Sequence, residues 1–163
     1  GRLTDEKRPG MAVEAVALVP EVHFLVVGDG PLRDSVERRA RELLGTRFHF
    51  LGSVESIADV YAATDVVLST SSTEGMSGVL IEAALCGAPI CATDVGAASW
   101  FFSQGPSGTL VRKESPPADV AEAIRALLAQ HRTELAHLPF DWTNVVTLWS
   151  TLLQIAAPST HYE

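Results

Sequence analysis

The sequence predicts an α/β domain built on a doubly wound parallel sheet, and three observations carry that expectation. Short, nearly continuous apolar runs recur along the chain, for example Val-His-Phe-Leu-Val-Val at residues 22–27. Such runs suit strands buried on both faces. Between them lie longer segments with apolar residues at helical spacing, and strand–helix alternation of this kind implies a parallel sheet covered by helices on both sides. The length of 163 residues suits one domain with a single core.

The elements follow in order. The first strand spans 22–27 and ends at Gly28-Asp29-Gly30. Pro31 opens a helix with Leu32, Val36, Ala40 and Leu43 on one face and Arg33, Glu37, Arg38 and Arg41 on the others. Residues 47–51 read as the second strand, 57–63 as a short helix and 65–69 as the third strand. A helix over 78–86 is stopped by Gly87, with Pro89 just beyond. Strands at 89–93 and 109–111 come next. Pro116-Pro117 then starts a helix whose stripe is Val120, Ile124, Leu127 and Leu128. A helix over roughly 142–155 closes the domain, with Trp142 and Trp149 packed into the core. No linker divides residues 1–163. Gly1-Arg2-Leu3 has the look of a loop leaving a strand, although no strand precedes it. In a doubly wound order that strand would be central, so the expectation is a fragment whose full-length protein supplies it.

Composition narrows the partners. The formal net charge is −8, which repels a nucleic-acid backbone but leaves room for a small anion held by a few converging cations and N–H groups. No apolar run reaches the ~20 residues of a bilayer span. Cys86 and Cys91 lie in apolar surroundings without metal spacing, and the five histidines are scattered. These features predict free thiols in a reducing cytosol and no metal site.

The loop most suited to chemistry runs from Ser69 through Glu74-Gly75-Met76-Ser77-Gly78-Val79 to Glu82. It leaves the carboxyl end of a strand and enters a helix, where parallel sheets bind ligands. Gly75 and Gly78 permit close backbone approach, Ser77 can cap the helix, and the first helical N–H groups attract a diphosphate. Glu82 lies ~6–8 Å along the helix from those N–H groups, near the separation of a diphosphate from its ribose. Glu74 stands on the other flank, where the sugar of a nucleotide sugar would lie. Two glutamates at a fixed spacing also fit a surface helix residue and a loop charge. The apolar neighbours of Glu82 predict a buried carboxylate in need of partners, which ligand hydroxyls would supply.

Arg2 and Lys7 form a second constellation at the same edge, able to grip phosphate oxygens. Composition alone favours solvated terminal cations beside Asp5 and Glu6. Gly28-Asp29-Gly30 lacks the third glycine of a dinucleotide fingerprint and reads as a tight turn lining the cleft. Trp100-Phe101-Phe102 is expected to be an exposed aromatic patch facing a missing domain, with burial in the core as the alternative. No nucleophile elbow supports a hydrolase.

Taken as an ordered series, these motifs resemble the group-one (family four) retaining glycosyltransferases with the two-domain GT-B fold. Gly1-Arg2-Leu3 with Lys7 is similar to the family's diphosphate-gripping loop. Residues 27–32 and 50–54 are similar to its next two strand loops. Glu74 to Glu82 resembles its signature of two glutamates separated by seven residues, followed by Cys86-Gly87-Ala88-Pro89 and Asp94-Val95-Gly96. The resemblance covers nearly the whole chain, as the C-terminal, Rossmann-like, nucleotide-sugar-binding domain, and it implies an acceptor-binding N-terminal domain outside this chain.

The resemblance also implies roles. Arg2 and Lys7 neutralise the leaving diphosphate, Glu82 holds the ribose, and Glu74 orients the donor sugar and stabilises an oxocarbenium-like state. Backbone from Gly75 to Val79, including Met76, Ser77 and Gly78, binds phosphate and sugar, while the Val54 region holds the base. Transfer proceeds with retention and usually without a metal or other cofactor. The compartment implied is the cytoplasm, with peripheral membrane attachment of the full-length enzyme as a second placement. After Gly96 the sequence departs from the family pattern, with Ala97-Ala98-Ser99-Trp100 where a second small residue and a glutamate are common. Contacts from that loop are in question. The rival readings are a nucleotide-sugar epimerase of the same fold and a non-catalytic binding module.

Overall fold

The computed structural model describes residues 1–130. The elements are α1 (Pro9–Ala17), β1 (Phe24–Val27), α2 (Arg33–Leu44), β2 (Phe48–Gly52), α3 (Ile57–Ala62), β3 (Val67–Ser69), α4 (Gly78–Leu85), β4 (Ile90–Thr93), α5 (Ala98–Ser103), β5 (Gly108–Val111) and α6 (Pro117–Ala129). The expected helix over 142–155, with Trp142 and Trp149, lies outside the described residues.

All strand pairs are parallel. The alternation of strands of three to five residues with helices leaves no other economical connection, because a parallel pair needs a crossover. β1 pairs with β2 from Phe24 opposite Phe48 to Val26 opposite Phe50, and the register slips by one so that Val27 meets Gly52. β3, β4 and β5 form a second ladder, with β4 in the middle. The expected single sheet is thus divided between β1 and β3 among the described residues.

Helices cover the strands on both faces. α1, α2 and α6 gather one core, which includes Val13, Val16, Val36, Phe48, Ile124 and Cys91. α3, α4 and α5 gather the other, with Tyr61, Leu80, Ile81, Ile90, Ala92 and Phe101. β4 is buried throughout, and its alternation sends Ile90 and Ala92 to one core and Cys91 to the other. Burial pushes the Cys91 thiol up to about 12. Both cysteines are free, and Cys86 is half-buried.

Two local expectations need correction. The helix after β1 begins at Arg33 rather than Pro31. Pro31 and Leu32 sit in a turn, since the Leu32 N–H donates to Leu3 O at 3.0 Å and the Arg33 N–H to Gly30 O at 3.0 Å. The aromatic run is not an exposed patch either: α5 buries Phe101 in the second core and packs Trp100 and Phe102 half-buried against it.

Candidate functional site

The segment before α1 crosses the carboxyl ends of β1 and β3. The Gly1 ammonium donates to Val27 O at 2.6 Å, and the Leu3 N–H to Asp29 O at 2.9 Å. A 3-10 turn over Asp5–Lys7 follows, and Arg8, at φ 47° and ψ 51°, turns the chain into α1 at Pro9. A left-handed arginine costs about 1 kcal/mol or more. Its guanidinium offsets that cost by donating to Thr70 O at 2.6 Å, Lys113 O at 2.9 Å and Ser71 O at 3.3 Å. The Ser72 N–H donates to Glu6 O at 2.6 Å. These bonds tie the N-terminal segment to the β3–α4 loop.

That loop holds Glu74. The Ser71 hydroxyl donates to Glu74 Oε1 at 2.8 Å, and the Lys7 ammonium pairs with the same oxygen. The Glu74 side chain is only 14% exposed, so this ion pair is screened far less than a surface one. The loop is backed from β4: the Thr93 hydroxyl donates to Ser71 O at 2.6 Å, and the Ala97 N–H to Gly75 O at 2.9 Å. Gly96, at φ 59°, lies so close that a Cβ there would meet Glu74 O at 2.2 Å and Gly75 O at 2.4 Å.

Ser77 occupies the N-cap position of α4 with extended backbone and is buried, but its side chain makes no capping hydrogen bond. The capping role expected of its hydroxyl is therefore not seen. No acidic residue sits in the first turn of α4 either. The N–H groups that open this helix stand at the positive end of its dipole, a position that suits an anion.

Glu82 is half-buried rather than fully buried, and its partner belongs to the protein. The Tyr61 hydroxyl donates to Glu82 Oε2 at 3.0 Å, while Oε1 lies back over Gly78, 3.7 Å from where a Cβ would stand. Burial, then the Glu82 charge and this hydrogen bond, push the Tyr61 phenol well above its ordinary value, so it stays a neutral donor. Burial and then Glu82 likewise raise the Cys86 thiol. Glu82 also acts on the Gly1 ammonium, whose pKa is lowered by burial and then by Lys7, with Glu82 opposing both.

Of the residues singled out in the sequence, Arg2, Lys7, Glu74, Ser77 and Val79 line one cavity of about 760 Å³. Gly75, Met76, Gly78 and Glu82 adjoin these in the chain but are not among its lining residues, although Tyr61, which holds Glu82, is. The Met76 side chain packs against the second core. Val54 is half-buried on the β2–α3 loop and does not line the cavity. Nor do Gly28, Asp29 and Gly30, which brace Leu3 instead of facing the cleft. Sequence reasoning missed Tyr61, Ser71 and Arg8; the partners of Tyr61 and Arg8 lie 21 and up to 105 residues away, whereas Ser71 bonds Glu74 three residues on, within its own loop.

Comparison with known proteins decides the family. The description "Glycosyl transferases group 1" matches residues 1–130. The chain belongs to this family. Among curated relatives, the lipopolysaccharide core biosynthesis glycosyltransferase LpsE of Rhizobium meliloti is 32% identical over 139 residues, covering 83% of this chain and 41% of LpsE. The 2-deoxystreptamine glucosyltransferase of Streptomyces kanamyceticus is 34% identical over 145 residues, covering 85% of this chain and 37% of that enzyme. The solved structure of Anabaena Alr3699/HepE in complex with UDP and glucose superimposes with a TM-score of 0.75 at 26% identity, over 96% of this chain and 45% of that one. The chain therefore spans less than half the length of these glycosyltransferases, and its fold matches part of a GT-B enzyme. Among the described residues no group of three His, Cys, Asp or Glu side chains could hold a metal ion, and no helix is long and apolar enough to cross a membrane.

Proposed function

We propose that the chain is the donor-binding, C-terminal domain of a retaining glycosyltransferase that moves a sugar from a nucleoside diphosphate to an acceptor held by an N-terminal domain. The observation that carries this reading is the placement of Glu74. Its carboxylate pairs with Lys7 inside the cavity that Arg2 also lines, on the loop that opens α4. Two cations and a carboxylate thus line one cavity beside a helix start, the combination needed to stabilise a leaving diphosphate and a positively charged glycosyl centre together.

The roles follow from chemistry. The diphosphate sits at the start of α4, where the N–H groups of Gly78 and Val79 face it and Arg2 and Lys7 neutralise the charge that grows as the glycosidic bond breaks. Lys7 exchanges Glu74 for a phosphate oxygen when the donor arrives. That exchange releases Glu74 to hydrogen-bond the donor sugar and stabilise the oxocarbenium-like state on the face from which the acceptor enters. Glu82, oriented by Tyr61, accepts from the ribose diol, and the backbone near Val54 meets the base. With two cations and a helix start at the diphosphate, the proposed chemistry calls for no metal. The UDP complex of the Anabaena relative supports UDP as the first nucleotide to test. We place the intact enzyme in the cytoplasm.

The test is calorimetric titration of the chain with UDP, GDP and ADP, repeated on Lys7→Ala and Arg2→Ala. A charge-assisted bond to phosphate contributes about 1.5–3 kcal/mol, so each variant should weaken the preferred nucleotide by roughly tenfold or more. Absence of binding by all three nucleotides, or affinities that both variants leave unchanged, refutes the reading.

A further inference from the structure

Among the described residues, Arg8 alone has a positive φ without being glycine. It stands between Lys7, which reaches Glu74, and Pro9, which opens α1. Glycine would make the same left-handed turn without strain. What arginine adds at this position must therefore come from its side chain. Strain of this kind gathers where a structure holds a functional group in place.

The guanidinium is committed to backbone. Nε donates to Thr70 O, Nη2 to Ser71 O and Nη1 to Lys113 O, so two loops, one after β3 and one after β5, share a single planar fork. Among the described residues no carboxylate pairs with Arg8. A lysine ammonium, a point charge without a fixed plane, could not serve three acceptors spread in this way. The β3–α4 loop answers in the other direction: the Thr70 hydroxyl lies 3.0 Å from both Lys7 O and Arg8 O.

The bonded partners are the neighbours of the two charges. Ser71, whose carbonyl Arg8 holds, is also the residue whose hydroxyl donates to Glu74 Oε1. Lys7, whose carbonyl Thr70 meets, is the residue whose ammonium pairs with that same oxygen. Thr70, Ser71 and Thr93, which backs Ser71 from β4, are all buried, so water does not compete for these bonds.

We propose that Arg8 is a positioning residue of the donor site: its fork fixes how far the Lys7 ammonium stands from the Glu74 carboxylate, and it ties the β5–α6 loop into the same frame. This role rests on the reading that Lys7 and Glu74 meet a nucleoside diphosphate. It adds that the spacing of the pair, on which the passage of Lys7 from carboxylate to phosphate depends, is set by a side chain that touches neither.

The experiment titrates UDP and uridine into the parent chain, Arg8→Gly, Arg8→Lys, Lys7→Ala and the Arg8→Gly/Lys7→Ala double variant, at a temperature where thermal unfolding shows the protein folded. Arg8→Gly should weaken UDP about fivefold, the worth of one ordinary hydrogen bond. Uridine should change by less than about twofold, because Lys7 acts on the diphosphate. Arg8→Lys keeps the charge and the strained backbone but not the fork, so it should show the same loss; it carries the test if the glycine variant does not fold. In the Lys7→Ala background the glycine substitution should add less than about twofold, since the group it positions is gone. UDP affinities of both Arg8 variants within about twofold of the parent, equal losses for UDP and uridine, or an undiminished loss without Lys7 overturn the proposal. A parent chain that binds no UDP sinks the donor-site reading itself. A parent that binds UDP and loses it on Lys7→Ala, with both Arg8 variants unchanged, sinks the positioning role alone.

Discussion

Replacing Gly96 by alanine tests how tightly the β4–α5 turn sets the position of Glu74. The new methyl carbon would stand 2.2 Å from Glu74 O and 2.4 Å from Gly75 O, both backbone atoms that cannot swing aside. An ordinary C···O contact is ~3.3 Å or more, so one loop must retreat by about 1 Å. The φ of 59° adds roughly 1–2 kcal/mol for a residue with a Cβ. Retreat also breaks the hydrogen bond from the Ala97 N–H to Gly75 O, which contributes about 1 kcal/mol net. Together these predict a loss of about 2–4 kcal/mol, or a Tm lower by roughly 5–10 °C. A displacement of ~1 Å at a reacting group costs about a hundredfold in rate. Thermal unfolding and UDP titration of the chain, with transfer rates in the full-length enzyme, are the assays. A Gly96→Ala protein that melts within 1 °C of the parent and binds UDP within twofold would show that this turn does not brace the Glu74 loop.

Three further outcomes are expected. Tyr61→Phe should cost only about 1 kcal/mol of stability, because water can reach half-buried Glu82. It should weaken UDP severalfold while leaving 2′,3′-dideoxy-UDP unaffected, and calorimetry with equal losses for both ligands contradicts the ribose role. Arg8→Ala should lower unfolding free energy in urea by about 2–4 kcal/mol through three lost carbonyl contacts. Arg8→Gly should lose about 1 kcal/mol less, since glycine accepts the left-handed backbone; identical losses remove backbone strain from the account. For Cys91, the folded thiol holds its proton up to about 12 against an ordinary 9.0. Its contribution to stability is therefore full below pH 9 and falls by about 1.4 kcal/mol per pH unit between these values. Urea midpoints at pH 8 and pH 10 should show a loss that Cys91→Ala reduces, and an unchanged difference in the variant counts against it.

The strands were readable because each is a short apolar run whose burial needs no distant information. β4 is the clearest case, with Ile90, Cys91 and Ala92 all apolar because both faces of that strand are covered. Strand-end placement put Arg2 and Lys7 at the same edge as the Glu74 loop, but composition alone favoured solvated cations, and the resemblance was what gave them a role. Three features were out of reach for one reason: their partners are remote in sequence. Tyr61 finds Glu82 across 21 residues, the Arg8 guanidinium finds Thr70 across 62, and the Leu32 N–H donates to the remote Leu3 O in the turn that precedes α2. Ser77 misled because its identity and position suit a cap, yet it is buried and its side chain makes no capping hydrogen bond. Trp100-Phe101-Phe102 misled because three consecutive aromatics point around a helix, and only packing reveals which of them the core takes.

The pairing of Lys7 with Glu74 gives the cavity a preference in what it admits. A neutral monosaccharide brings hydroxyls but no charge, so it cannot replace the carboxylate that the ammonium already holds. An anionic visitor can. Under the proposed donor-binding role, sugars should therefore enter only as passengers on a charged carrier, and a pool of free hexose would not occupy the place that the carboxylate guards.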